Sequence, residues 1–209
     1  MRVLCFIAIT AIALFVMLAA WKALRTPFAL DDFPEELAIK VELLPLLFPL
    51  HMVTGGLARV LVPLTFVLRH HARWHRPIGR IAAVDVLIAG ITAFSVALVA
   101  PVTRVSSVGF SAQAAVWLVL LALGIRNIRR GRVAAHRACM LLMAATTSGA
   151  LLFRIALAWW AILGSVRHYA AFYAADAWFA WLLPLGLAVF LLHRPRLRYH
   201  TGGLRADPR

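Results

Sequence analysis

The chain has 209 residues, of which 63% are hydrophobic and only 14% are charged. A water-soluble domain of this size could not bury so much apolar surface in one core, so the composition excludes a soluble globular protein. The net charge of +14 would by itself be compatible with nucleic-acid binding. The basic residues lie in short segments between apolar stretches, however, and this distribution favours a membrane protein with no nucleic-acid partner.

Six stretches of the sequence are apolar and long enough to cross a membrane. A helix rises about 1.5 Å per residue, so about 20 apolar residues cross a hydrocarbon core of about 30 Å. Because the stretches are continuously apolar and do not alternate with polar residues, they predict helices and not the strands of a barrel. We therefore predict an all-α membrane bundle with six spans, at residues 3–21, 44–68, 78–100, 109–125, 138–161 and 172–192.

The basic residues are distributed unequally between the two sides of these spans. Only five of the 22 Lys and Arg residues lie on the side of the first, third and fifth loops. Fifteen lie on the other side: Arg2, Arg69, Arg73, Arg76, Arg80, Arg126, Arg129, Arg130, Arg132, Arg137, Arg194, Arg196, Arg198, Arg205 and Arg209. This asymmetry predicts that both termini are cytoplasmic, in a bacterial cytoplasmic (inner) membrane whose anionic lipids contact the basic loops.

The two segments before the second span carry predictions of their own. The apolar run at 3–21 is longer than the usual core of a signal peptide, so we interpret it as a retained helix. The loop that follows contains Asp31, Asp32 and Pro34 ahead of Glu35 and Glu36, a pattern typical of a helix start. It predicts a short amphipathic helix on the outer surface.

Four ionisable residues inside the predicted spans stand out: His51, Arg59, Asp85 and Arg154. A charged group at the centre of a membrane helix costs roughly 2.5 to 3.5 kcal/mol on insertion scales, so each one needs a partner or a function. Counting from the loop ends puts Arg59 and Asp85 at similar heights on neighbouring antiparallel helices. We predict an intramembrane ion pair between them, and the sequence leaves open whether its role is structural or functional.

The other two ionisable residues, His51 and Arg154, are both predicted near the outer end of the bundle. His51, Gly55 and Arg59 follow one another at intervals of four, so they lie along one face of the second span. This arrangement predicts either an outer-side site in which Arg154 receives an anion, or close helix packing at the glycine with a structural histidine.

Two further histidines, His75 and His136, stand just before the third and fifth spans. If their ring nitrogens converge, a pair of histidines on neighbouring helices could ligate haem b or another metal, with His51 as an alternative ligand. The adjacent arginines, Arg76 and Arg137, favour a different interpretation, in which each His-Arg pair binds a lipid phosphate at a helix N-terminus.

Short sequence elements occur in a fixed order within residues 51–154, a region that is about half of the chain. They are His51 with Gly55, residues 63–66, residues 75–80, Gly109 and Phe110 with Trp117, His136 and Arg137 with Met140, and Arg154. In this order and spacing, residues 51–154 resemble the bacterial membrane-protein family named domain of unknown function 2306. The resemblance implies a membrane bundle and no particular reaction. The pattern of histidines on helices is also similar to that of small membrane cytochromes of the b type.

The sequence contains no motif typical of hydrolysis, phosphate-loop binding or a Cys-x-x-Cys centre, so it does not decide whether the protein is an enzyme. Three functions are compatible with it. The first is a haem-binding or redox-active bundle, the second is binding or transport of a small anionic solute or lipid headgroup, and the third is an accessory membrane protein without chemistry of its own.

Overall fold

The computed structural model describes residues 35–99 and 101–193, and this part of the chain is helical without strands. Its helices are α1 (Glu35–Leu43), α2 (Leu47–Val67), α3 (Ala72–Leu98), α4 (Arg104–Arg129), α5 (Val133–Leu163) and α6 (Tyr169–His193). Short 3-10 turns at Leu68–His70 and Val166–His168 follow α2 and precede α6. The predicted all-α class is therefore confirmed for the described residues.

Five helices, α2 to α6, are long and apolar enough to cross a membrane. They correspond to the second to sixth predicted spans. The first predicted span, at 3–21, and the basic tail after His193 lie outside the described residues. The six-span count and the cytoplasmic termini therefore stay predictions, whereas several apolar membrane helices are present.

The helices extend beyond the apolar stretches that predicted them. α3 begins at Ala72 and not near residue 78, and α5 begins at Val133 and not near residue 138. A helix can continue past the hydrocarbon because arginine side chains there remain exposed to water and headgroups. The turn between α4 and α5 is tight, and Gly131 adopts a φ of 70°, a conformation that favours glycine.

Two ends of the bundle can be distinguished. The basic end contains the turns 68–71 and 130–132 and the end of α6. The Lys40 end contains α1 and residues 101–103 and 164–168. A short helix does form in the long loop before the second span, as predicted, and its buried residues include Val41 and, unexpectedly, Lys40.

α4 lies centrally and packs against α3, α5 and α6, whereas α2 packs mainly against α3. A core of small and medium apolar side chains joins α2 to α5, formed by Ala58, Val62, Val86, Leu121 and Met143. α5 and α6 approach each other closely at Gly149, where an added Cβ would lie 2.5 Å from the Cβ of Trp181. The absence of a side chain at Gly149 therefore sets the spacing of these two helices.

Candidate functional site

A cavity of about 470 Å³ lies between the apolar core and the Lys40 end. Side chains from all five long helices line it, and Lys40 of α1 contributes at its end. Trp117 of α4 lines the cavity and also packs against the apolar core, so the cavity extends to that core. The volume is in the range of sites that bind small molecules.

The structure brings His51, Gly55 and Arg59 of α2 and Arg154 of α5 to this one cavity. The spacing of four residues puts the three α2 positions on the face of the helix that lines it. A Cβ added at Gly55 would meet nothing within 4 Å, so the glycine adds open space to the cavity and not a helix contact.

Arg59 is buried without a partner for its Nε atom. Its side chain is only 9% exposed, and Nε has no hydrogen-bond partner. Arg154 is more firmly held, since Nη1 donates to the carbonyl oxygen of Ala150 at 2.8 Å and Nη2 contacts the sulfur of Met52 at 3.9 Å. The two guanidinium groups interact electrostatically as like charges, so the cavity holds excess positive charge.

None of the described acidic residues lines the cavity. Lys40 lies at its end, where Nζ donates to the carbonyl oxygens of Val96 at 2.9 Å and Val99 at 2.6 Å. These carbonyls belong to the last turn of α3, so Lys40 caps that helix in addition to bordering the cavity.

The structure does not join Arg59 to Asp85. Asp85 is buried, with 7% exposure, but its Oδ2 atom and the Nε atom of Arg59 both lack hydrogen-bond partners. Asp85 lies 13 residues from the start of α3 at Ala72, or roughly 20 Å, whereas Arg59 lies 8 residues from the end of α2 at Val67, or roughly 12 Å. Asp85 and Arg59 therefore lie at different heights above the basic end. The sequence did not predict this difference because α3 begins earlier than its apolar stretch suggested.

Two buried ionisable residues were missed by the sequence reasoning. Asp176 of α6 is 9% exposed, and its Oδ2 atom has no hydrogen-bond partner. An acid inside a predicted span is the same signal that singled out Asp85, so Asp176 could have been found. The burial of Lys40, which is 8% exposed, could not have been predicted, because the residue lies in a predicted loop, where lysine is ordinarily solvated.

The three candidate haem ligands lie in separate places. His75 Nδ1 bonds the carbonyl oxygen of Thr65 at 3.0 Å, and His136 Nδ1 bonds that of Gly124 at 3.0 Å. Each ring thus ties the start of one helix to the end of the preceding helix, in the α2–α3 and α4–α5 hairpins respectively. Only His51 lines the large cavity. No group of three or more potential metal ligands occurs within residues 35–99 and 101–193.

Arg76 and Arg137 are both exposed near the basic end of the bundle. Each follows a histidine whose ring is bonded to the neighbouring helix, so the backbone position from which each guanidinium projects is fixed. Their exposure leaves both side chains available to a headgroup, and no bound group defines a site there.

Comparison with known proteins gives one match. The family described as "Predicted membrane protein (DUF2306)" matches residues 48–192, which run from the second residue of α2 to the last but one of α6 and include every residue named above as lining the cavity except Lys40. Neither the curated proteins nor the solved structures contain a match to the chain. Because the match covers more than half of the chain and contains the five described membrane helices, the protein belongs to the DUF2306 family of membrane proteins.

Proposed function

We propose that this protein binds an anion inside the membrane, in the cavity lined by Arg59 and Arg154. The observation that carries the proposal is the state of Arg59, whose nine-tenths buried side chain lines the cavity while Nε lacks a partner. A guanidinium without a counter-charge in a low-dielectric site costs several kcal/mol. An anion in the cavity supplies both the counter-charge and the missing hydrogen bonds.

The choice of arginine supports the same proposal. A guanidinium presents several N–H groups in a rigid plane and can hold a carboxylate or phosphate through two parallel hydrogen bonds. Arg59 and Arg154 come from different helices and both line the cavity, so one anion can be held from two sides. No lining aspartate or glutamate from the described chain competes for them.

The unequal charge distribution gives the site an orientation. By the positive-inside rule, the basic end faces the cytoplasm, and the cavity then lies in the outer half of a bacterial cytoplasmic membrane. Arg76 and Arg137 then contact the anionic headgroups of the cytoplasmic leaflet.

Arg59→Met tests the proposal, because methionine keeps the volume and removes the charge. In nanodiscs of zwitterionic lipid, we expect phosphate, lactate or decanoate to raise the thermal midpoint of the wild-type protein and to leave that of Arg59→Met unchanged. Without an anion, the variant should be more stable than wild type by about 1–3 kcal/mol, because an unpaired buried charge has been removed.

Arg80→Met is the matched control, since Arg80 is exposed on α3 and does not line the cavity. It should change neither anion binding nor the stability of the empty protein by more than about 0.5 kcal/mol. Anion binding that persists in Arg59→Met would contradict the proposal.

Haem binding is the alternative, and one observation favours it: His51 lines the cavity and has Nδ1 bonded to a carbonyl. This is the arrangement in which Nε2 of a histidine ligates a metal. The absorption spectrum of protein expressed with ample haem separates the two functions. A Soret band lost in His51→Ala, His75→Ala or His136→Ala would support haem, whereas a colourless protein that binds anions would support the proposal above.

A further inference from the structure

Most polar side chains that line the cavity are already hydrogen-bonded within the protein. The hydroxyl groups of Thr146 and Thr147 donate to carbonyl oxygens of their own helix, at 3.0 and 2.8 Å. Gln113 donates to the carbonyl oxygen of Thr146, and the indole N–H of Trp117 donates to the hydroxyl of Thr147. The N–H and O–H groups of these four side chains are therefore engaged within the protein, and the arginines and His51 are among the groups that remain to recognise a ligand.

His51 presents a hydrogen-bond acceptor to the cavity. Its Nδ1 atom lies 3.2 Å from the carbonyl oxygen of Ala89 and 3.3 Å from the hydroxyl oxygen of Thr92, whose own proton is donated to the carbonyl oxygen of Ile88. A carbonyl oxygen only accepts, so Nδ1 carries the proton in the neutral ring and Nε2 carries the lone pair. Nε2 makes no hydrogen bond within the described chain, and His51 lines the cavity. A ligand with an O–H group can satisfy it.

Most of the remaining wall is apolar, and it includes an aromatic cluster. Phe110, Phe153 and Tyr173 pack edge to face, with ring centroids 5.1 to 5.9 Å apart. All three line the cavity, and Phe153 precedes Arg154 in the sequence. An inorganic anion would occupy a small part of about 470 Å³ and leave the remainder as water against apolar side chains.

From these three features we infer that the ligand is an amphipathic anion with a hydroxyl group beside its charged group, a deduction that rests on the proposed anion site. The charged group lies between Arg59 and Arg154. The hydroxyl group donates to His51 Nε2, and the apolar body lies against Phe110 and Phe153. A hydroxylated fatty acid and a soluble hydroxy acid with a large apolar substituent share this chemistry.

A set of three acids tests the two parts of the inference separately. The first is 2-hydroxydecanoate, the second is decanoate without the hydroxyl group, and the third is lactate, which keeps the hydroxy acid and lacks the chain. Binding of each is measured by calorimetry to the full chain in nanodiscs of zwitterionic lipid, with empty nanodiscs subtracted. We expect 2-hydroxydecanoate to bind about fivefold more tightly than decanoate, from one additional hydrogen bond, and at least a hundredfold more tightly than lactate.

Two variants of His51 assign the hydroxyl preference to this residue. In His51→Phe, the fivefold preference for 2-hydroxydecanoate over decanoate should fall to about onefold. In His51→Gln, whose side-chain carbonyl can accept near the position of Nε2, part of the preference should return. The ratio of two ligands on one variant does not depend on how stable that variant is.

The outcomes separate this inference from the proposed function. If lactate binds as tightly as 2-hydroxydecanoate, or if His51→Phe keeps the fivefold preference, the inference is overturned while an anion site that depends on Arg59 stands. If phosphate binds and none of the three acids does, the inference alone is overturned. If no anion binds, or if binding is unchanged in Arg59→Met, both are overturned.

Discussion

At the scale of single residues, the burial of charge in this protein follows two different patterns. Lys40 is buried and donates to two carbonyl oxygens at the end of α3, so its charge stabilises a helix terminus. Arg59 is buried to the same degree, yet its Nε atom is unpartnered beside a cavity. Burial with partners indicates a structural role, and burial without them beside open space indicates a ligand.

Gly149 provides a prediction at this scale. A Cβ there would lie 2.8 Å from the Cα of Trp181, and because that contact is with backbone, α5 and α6 would have to separate. We expect Gly149→Ala to lower the free energy of unfolding by about 1–3 kcal/mol, measured by tryptophan fluorescence during denaturant titration in detergent.

Gly186→Ala is the control for this measurement, since a Cβ at Gly186 on α6 meets nothing within 4 Å. Alanine should leave the stability unchanged or raise it by up to about 1 kcal/mol through its higher helix propensity. Equal stability of the two variants would show that the close approach of α5 and α6 has been placed wrongly.

The sequence predicted which ionisable residues line the cavity better than it predicted their partners. His51, Arg59 and Arg154 stood out because ionisable groups inside apolar spans are costly, whatever the packing. The pairing of Arg59 with Asp85 depended on heights counted from the loops. Since α3 begins at Ala72 and not at residue 78, Asp85 lies about 9 Å further from the basic end than that count implied.

At the scale of the elements, the start of α4 is defined by a capping box formed by Thr103 and Ser106. The side chain of Thr103 accepts from the N–H of Ser106 at 3.0 Å, and the side chain of Ser106 accepts from the N–H of Thr103 at 3.2 Å. This reciprocal capping satisfies backbone groups where the chain turns from α3 into the central helix of the bundle.

Thr103→Ala removes one half of this cap and should lower the free energy of unfolding by about 1 kcal/mol. Thr103→Ser keeps an oxygen in the same position and should stay within about 0.5 kcal/mol of wild type. Thermal unfolding of the purified protein in detergent compares the two. A loss of the same size in both variants would mean that the methyl group, and not the hydroxyl, is responsible.

The existence of the five long helices was predictable because each contains an apolar stretch long enough to cross the membrane. The ends of these helices were not predictable, because a helix continues into the membrane interface as long as its arginine side chains reach water. α5 illustrates this, starting at Val133, five residues before the stretch at 138–161. Neighbours were also hard to predict, since apolar side chains on every face do not distinguish lipid contacts from helix contacts.

At the scale of the whole molecule, the orientation in the membrane is a prediction that labelling can check. In a background with Cys5→Ser and Cys139→Ala, we introduce one cysteine by His71→Cys at the basic end or by Ser165→Cys at the Lys40 end, both exposed positions. The positive-inside rule predicts that a membrane-impermeant maleimide labels Ser165→Cys in cells with a permeabilised outer membrane.

His71→Cys should react only after the cytoplasmic membrane has been opened. Labelling of His71→Cys in cells with an intact cytoplasmic membrane would reverse the orientation. It would also place the Arg59 cavity in the cytoplasmic half of the bilayer.

The apolar core formed by Ala58, Val62, Val86, Leu121 and Met143 bears on how the protein insulates the two sides of the membrane from each other. A water-filled chamber that reaches partway through a membrane thins the insulating layer, and the transmembrane voltage then falls across whatever dry layer remains. Here that layer contains five side chains without an oxygen or nitrogen atom among them, joining four helices. We expect such a plug to interrupt a file of water molecules between the cavity and the basic end.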